Sequence, residues 1–282
     1  MTLNVEASGS QATPDLPLPR LVEGRFCNLT AYTDENLFDA CGVRIAFSCR
    51  GGGASAGVYD SLNLGSHVHD DASCVARNRE LLMSALGAEN ARMVCPNQVH
   101  GADVAICETV DDFDDACEFA AEGADAVAVS CDNVAALLCF ADCMPVVLVA
   151  PGGAFAVVHC GWRGVVGGAW QHAALTLKEI SGQEIERFNA YIGPYIHACH
   201  FEVGPEVVQQ FSEQFGEECI VDANHVDMGC AMRAGLEALG VNPQRIADID
   251  VCTVCDDGER FYSYRASGGV CGRHGAFAVK LA

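Results

Sequence analysis

The chain alternates short apolar runs with polar stretches punctuated by glycine. Compact apolar or alternating runs bounded by turn residues predict strands. Early in the chain these are FCNLTAYT and VRIAFSC; then come MVCPNQV, ADVAIC, ADAVAVS, VAALLCF, PVVLVA and FAVVHC, and finally DIDVCT, RFYSYR and GAFAVKL. Apolar positions at helical spacing predict helices over ASCVARNRELLMSALG, GAWQHAALTLKEISG, GPEVVQQFSEQFG and MGCAMRAGLEALG. Asp70 or Asp71 caps the first, Gly87 stops it, Gly182 stops the second, and Asp227 caps the last. The segment RGGGASAGVYDSLNLG is too rich in glycine for regular structure. Strands interleaved with about four helices, and no linker between them, predict an α/β fold. The expectation is a single domain over residues 22–282 with a large mixed β-sheet and flanking helices, after a disordered leader at 1–21. No strand–GxGxxG–helix unit supports a dinucleotide fold, since RGGGASAG precedes a loop.

Half of the 282 residues are hydrophobic, enough for a substantial core. No apolar run approaches the ~20 residues that span a bilayer. The first residues lack a basic start and a continuous apolar stretch, so a cytoplasmic chain is expected. The 17 cysteines are scattered, several inside apolar runs (Cys107, Cys139, Cys160), and read mostly as reduced core thiols. A formal charge of −22 repels phosphate backbones and argues against a nucleic-acid partner. Residues 111–125, DDFDDACEFAAEGAD, read as a solvated acidic loop. Only two of the 16 basic residues are lysine. Four arginines, Arg50, Arg163, Arg265 and Arg273, lie in or beside glycine-rich turns. There a guanidinium and backbone N–H groups can meet a small anion, although single exposed turn arginines are common.

The stretch VAALLCFADCMPVVLVAP, residues 134–151, interrupts two buried strands with Asp142 and Cys143. The following strand ends at His159 before Gly161-Trp162-Arg163-Gly164, and an earlier strand end carries Gln98 and His100. Cys143, His159 and His100 are three ligands of the kind zinc prefers, and three protein ligands leave a position open for chemistry. Buried cysteine and histidine without a metal remain an alternative. A second arrangement, Cys252, Cys255, Cys271 and His274, has spacing close to a structural zinc ribbon. A third needs no metal: Cys143 as nucleophile, His159 as base and Asp142 nearby, as in a cysteine hydrolase.

The blocks NQVHGADV, ADAVAV, FADCMPVVLVAP, AVVHCGWRG, AYIGPYI, CHFEVGPEV and FYSYR, together with FSCRGGGASAGVYDSLNLG, resemble the YfiH-like family, formerly the polyphenol oxidase laccase group. The resemblance runs in order over essentially residues 43–282. It implies a YfiH-like fold and one zinc ion held by His100, Cys143 and His159. It also implies phosphorolysis of purine nucleosides (inosine, adenosine or guanosine) to free base and ribose 1-phosphate. Adenosine deamination and methylthioadenosine cleavage belong to some members. Copper-dependent phenol oxidation is the older reading and the alternative. The chain departs from the family at Cys160, where Ala is usual beside a ligand and a thiol could compete for metal. It departs again at Cys271, where Thr is common, which weakens the ribbon.

On this reading Arg50, Arg163 and the Gly51–Gly53 amides are the phosphate candidates and Asp142 a proton shuttle. Asn63, Gln98 and Arg265 are candidates for substrate contact. The expected partners are a purine nucleoside and phosphate, with neither nucleic acid nor membrane. Nine histidines with one near-pair, His67 and His69, are too few for a multicopper centre. The H-x-E and P-C-x-x-C pattern of other zinc deaminases is absent.

Overall fold

The computed structural model describes residues 13–282. Its strands are β1 (Val22–Phe26), β2 (Leu29–Thr33), β3 (Val43–Ser48), β4 (Arg92–Val94), β5 (Val104–Cys107), β6 (Ala126–Val129) and β7 (Val134–Phe140). They continue with β8 (Met144–Val149), β9 (Phe155–Cys160), β10 (Asn189–Ile192), β11 (Ile220–Asp222), β12 (His225–Val226), β13 (Ile246–Asp248) and β14 (His274–Lys280). The helices are α1 (Glu35–Cys41), α2 (Ala72–Ala85), α3 (Phe113–Gly123), α4 (Trp162–Val166), α5 (Ala169–Ser181), α6 (Pro205–Phe215) and α7 (Met228–Leu239).

The mixed α/β class is as expected, but twelve of the strands divide between two six-stranded sheets rather than one, and β11 and β12 form a small two-stranded sheet. The first has order β1-β2-β3-β14-β7-β4 and the second β13-β10-β8-β9-β6-β5. Each combines antiparallel pairs with parallel pairing at its edges: β4 on β7 in the first sheet, and β5 on β6 and β13 on β10 in the second. Division into two sheets explains why β6 to β9, His159 apart, are apolar instead of alternating: every residue in them is buried. Strands covered on both faces need no polar side. Leu138, Val147, Phe155 and Val157 meet Ile45, Phe47 and Ala276 in the layer between the sheets. Their neighbours Val146, Leu148, Ala156 and Val158 face α5, α6 and α7 through Trp170, Leu177, Phe211 and Met232. On the far side of the first sheet, Leu137, Phe277 and Val279 pack against Leu82 of α2.

Local signals account for most helix ends. Asp71, rather than Asp70, caps α2 by accepting from Ser73 N at 2.7 Å, and Asp227 caps α7 by accepting from Cys230 N at 2.9 Å. Other expectations change. Most of the acidic stretch 111–125 is α3, whose Ala116 and Ala120 are buried against the inter-sheet core. RFYSYR forms no strand, because Asp256 accepts from Arg260 N and Phe261 N and curls the segment into a turn. The strand β10 is not apparent from the pattern, its four residues being framed by Phe188 and the Gly-Pro that ends it.

The leader is also different. Leu16 is buried, and Arg187 and Arg245 donate to the carbonyls of Thr13 and Leu16, so residues 13–21 pack on the body. Residues 1–12 lie outside the described residues. Among the described residues no helix is long and apolar enough to cross a membrane.

Phe155 is fully buried between the sheets. Phe155→Ala is expected to lower stability by about 3–5 kcal/mol. Urea unfolding should show a lower midpoint at unchanged slope, and an unmoved midpoint would contradict this packing.

Candidate active site and metal centre

The turn Ala141-Asp142-Cys143 is where the chain crosses from β7 in one sheet to β8 in the other. Cys143 immediately precedes β8, and the β8–β9 register pairs Pro145 with His159. A thiol and an imidazole from the two arms of one hairpin therefore arrive at the same end of the sandwich. His100 comes from the loop between β4 and β5, with a left-handed backbone at φ 60°. One donor atom from each of His100, Cys143 and His159 lies within 4.8 Å of the others.

Asp125, next to β6 and fully buried, organises this convergence. Its carboxylate accepts from the backbone N–H groups of Val99, His100 and Gly101 at 3.1, 3.0 and 2.6 Å. The same group bonds His159 Nδ1 at 2.6 Å, while the Asp125 carbonyl accepts from His159 N at 2.7 Å. With Nδ1 engaged, His159 presents Nε2 to the centre, the arrangement that orients a metal-ligating imidazole. Burial works against charge on His159, but the Cys143 thiolate and the Asp125 carboxylate outweigh it and raise the ring to about 9. His100 is lowered, first by burial and then by His159, which favours the neutral ring a metal takes. Burial pushes Asp125 upward, yet the His159 bond and the amide donors bring it below its ordinary value.

The residues present fit a single zinc ion. The donor set is one thiolate and two imidazoles, the composition of an open catalytic zinc site. Gly161 supplies the room: a Cβ there would stand 2.7 Å from His100 Nδ1 and 3.1 Å from Cys143 Sγ. Cys160 is not a competing ligand, since alternation in β9 turns it into the opposite, helix-facing core, where burial raises its thiol.

The three donors border a cavity of about 480 Å3, also lined by His67, Gln98, Phe140, Phe201, Tyr264, Arg265 and Arg273. That volume suits a small organic ligand. Of the other site residues read from the sequence, Gln98 and Arg265 border it, each with its hydrogen bonds already made. The Gln98 amide closes a two-bond pair with the backbone of Cys139, and Arg265 donates to the carbonyls of His200 and Glu202.

Asp142 borders the cavity with both carboxylate oxygens engaged. Its Oδ1 accepts from Thr253 Oγ1 at 2.6 Å, and its Oδ2 from Arg265 N at 2.7 Å. Arg50 is not at the cavity: its guanidinium donates to the carbonyls of Asp60 and Gly258 and stacks over Tyr262. Arg163 is exposed and stacked on Trp162, beside His100 but outside the lining. Asn63 is buried, bonding Gly65, Asp70 and the backbone N–H of Arg273. The Gly51–Gly53 loop folds on itself, with Gly53 N donating to Ser61 Oγ, and a Cβ on Gly53 would stand 2.3 Å from Ser61 O. Asp125, Phe201 and Tyr264 lie in the blocks that carry the family resemblance and His67 in the near-pair with His69, but none of them is singled out from the sequence as a site residue. Arg273 is marked only by its neighbouring glycines.

The ribbon-like quartet does not assemble. Cys271 accepts from Arg273, and His274 is buried between Phe140 and Phe261 at the start of β14. Cys252 and Cys255 instead meet Cys199 and His200.

Comparison with known proteins gives one consistent picture. Residues 44–280 match the family described as multi-copper polyphenol oxidoreductase laccase. The chain is 34% identical over 249 residues to the purine nucleoside phosphorylase YlmD of Geobacillus stearothermophilus, covering 84% of this chain and 89% of that one. It is 35% identical over 245 residues to the adenosine deaminase RL5 of an unknown prokaryotic organism, covering 82% and 92%. The crystal structure of YlmD from Geobacillus stearothermophilus superposes with a TM-score of 0.81 at 29% identity, over 95% of this chain and all of that one.

Two outcomes follow from the geometry. Asp125→Asn is expected to weaken zinc binding by about 10–100-fold, measured by competition with a chromophoric chelator. Unchanged affinity in a folded variant would remove Asp125 from its orienting role. Gly161→Ala, by crowding His100 and Cys143, is expected to leave the purified protein with clearly less metal by mass spectrometry than the wild type. Full metal content would show that the close approach is not needed.

Proposed function

Because the chain belongs to the multi-copper polyphenol oxidoreductase laccase family, we propose that it is a zinc-dependent enzyme that cleaves purine nucleosides with phosphate to free base and ribose 1-phosphate. The carrying observation is the convergence of His100, Cys143 and His159 at the edge of a cavity that also presents arginine, histidine and aromatic side chains. The relatives named as purine nucleoside phosphorylases and as an adenosine deaminase support the substrate class and leave deamination as a second activity of the same site.

Zinc bound there would act as a Lewis acid toward an oxygen of the substrate or of water. The chain's own residues then divide the remaining work. Arg273 donates within the protein through Nη1, and the rest of its fork is the natural partner for phosphate. His67 lines the same wall, and burial, followed by Arg273 and Arg79, lowers its ring. A neutral imidazole beside an arginine can accept the proton of a monobasic phosphate. Phe201 and Tyr264 offer the planar surfaces on which a purine stacks. Arg265, Asp142 and Gln98, with their bonds already made, hold the wall.

A second reading is favoured by one feature: Cys143, His159 and Asp125 form a nucleophile–base–orienter series. His100 within reach of the same point favours a metal instead. Neither metal-ligating cluster among the described residues contains more than two histidines, which does not suit a multicopper oxidase.

The test is to incubate zinc-loaded protein with inosine or adenosine, with and without phosphate, alongside Cys143→Ala. Free base and ribose 1-phosphate forming only with phosphate, and lost in the variant, are expected by mass spectrometry. Well-metallated protein that yields no purine product, while copper-loaded protein oxidises phenols, would overturn the proposal.

A further inference from the structure

Outside the cavity lies a second set of four possible ligands: Cys199 and His200 in the segment after β10, and Cys252 and Cys255 after β13. We propose that these four side chains bind a second, structural zinc ion, which clamps the two segments together and holds one wall of the active cavity.

The geometry carries the inference. Tetrahedral zinc, with Zn–S of about 2.3 Å and Zn–N of about 2.0–2.1 Å, sets sulfur atoms about 3.8 Å apart and sulfur from nitrogen about 3.6 Å apart. Cys199 Sγ lies 3.7 Å from Cys252 Sγ and 3.5 Å from Cys255 Sγ. His200 Nδ1 lies 3.2, 3.8 and 3.4 Å from the sulfurs of Cys199, Cys252 and Cys255. Five of the six separations thus match a tetrahedral ligand set, and the sixth, between the sulfurs of Cys252 and Cys255, is within 4.8 Å. A disulfide would draw two sulfurs to about 2.05 Å and leave the third thiol and the imidazole unused.

The surroundings agree. Cys252 and Cys255 have the two-residue spacing of a zinc knuckle. The sulfur of Cys252 accepts from His197 N at 3.4 Å, and the carbonyl of His200 accepts from Arg265 Nη1 at 2.8 Å, so the ligand-bearing backbone is itself held. Cys252 is buried while Cys199, His200 and Cys255 are exposed, which gives an ion a path in. Four protein ligands make a closed site without a position for substrate, in contrast to the three at His100, Cys143 and His159.

Its reach into the cavity is short. Phe201, in the cavity wall, follows His200 directly. Thr253, between the two cysteines of the knuckle, donates to Asp142, the neighbour of the ligand Cys143.

The decisive measurement is metal stoichiometry under reducing conditions, with cobalt(II) as the spectroscopic probe. Demetallated wild-type protein is expected to take two equivalents. His100→Ala/His159→Ala should still take one, with the strong thiolate-to-cobalt absorption of a three-cysteine tetrahedral site. Cys199→Ser/Cys255→Ser should take one with the weaker one-thiolate spectrum, which also shows that the variant is folded. His100→Ala/His159→Ala protein that takes no cobalt while wild-type protein takes one equivalent would overturn the proposal, as would a Cys199–Cys255 disulfide in freshly purified protein that excludes zinc after reduction. Wild-type uptake of one equivalent with the three-cysteine spectrum would instead count against metal at His100, Cys143 and His159.

Discussion

The site depends on one buried carboxylate. Asp125 receives three consecutive backbone N–H groups from the loop that carries His100 and at the same time fixes the ring of His159. A buried, unpaired carboxylate would be expensive, and each of these bonds reduces that penalty while restricting geometry. The loop after β4 therefore cannot shift without exposing Asp125 to unmet demand, and His159 cannot flip without losing its partner. Two of the three possible metal ligands, from separate parts of the sequence, are set by a residue outside the donor cluster.

The third possible ligand, Cys143, is placed by topology. A chain that moves from one sheet to the other needs a crossing, and Ala141-Asp142-Cys143 makes it in three residues. The hairpin β8–β9 then fixes Cys143 opposite Gly161, where any side chain would collide with both Cys143 and His100. Apolar strands on either side, buried on both faces, make this crossing rigid. A charged residue and a thiol between two core strands are visible in the sequence for this reason. The break in the pattern is the change of sheet.

Other parts are less legible, for definite physical reasons. Cys143 and His159 stand at the ends of apolar strands, and strand ends are local information; His100 is marked by the Gly101 that follows it. Asp125 sits at the tail of an acidic run whose other members lie in α3 and its flanks, so composition points to solvent. Arg50, Asn63 and Arg273 all lie in glycine-bearing loops, and which of them faces the cavity depends on long-range bonds. The carbonyls of Asp60 and Gly258 take Arg50, while Asn63 holds the backbone of Arg273 at the cavity. The ribbon of Cys252, Cys255, Cys271 and His274 fails for the same reason. The Cys252–Cys255 pair is local, but its partners come from residue 199 onward, over fifty positions earlier in the chain.

Asp142 shows how strain and site are connected. Its backbone sits at φ 88°, a region that disfavours a residue with a side chain by about 1–3 kcal/mol. Three bonds hold it there: its carbonyl accepts from Ile196 N, and its two carboxylate oxygens accept from Thr253 and Arg265. The donors come from three separate segments of the chain, and two of them, Ile196 and Arg265, line the cavity. Relaxing any one of them frees the crossing turn to move toward an ordinary backbone conformation, and the next residue is Cys143. Asp142 thus ties the position of three segments of the chain to Cys143 beside it.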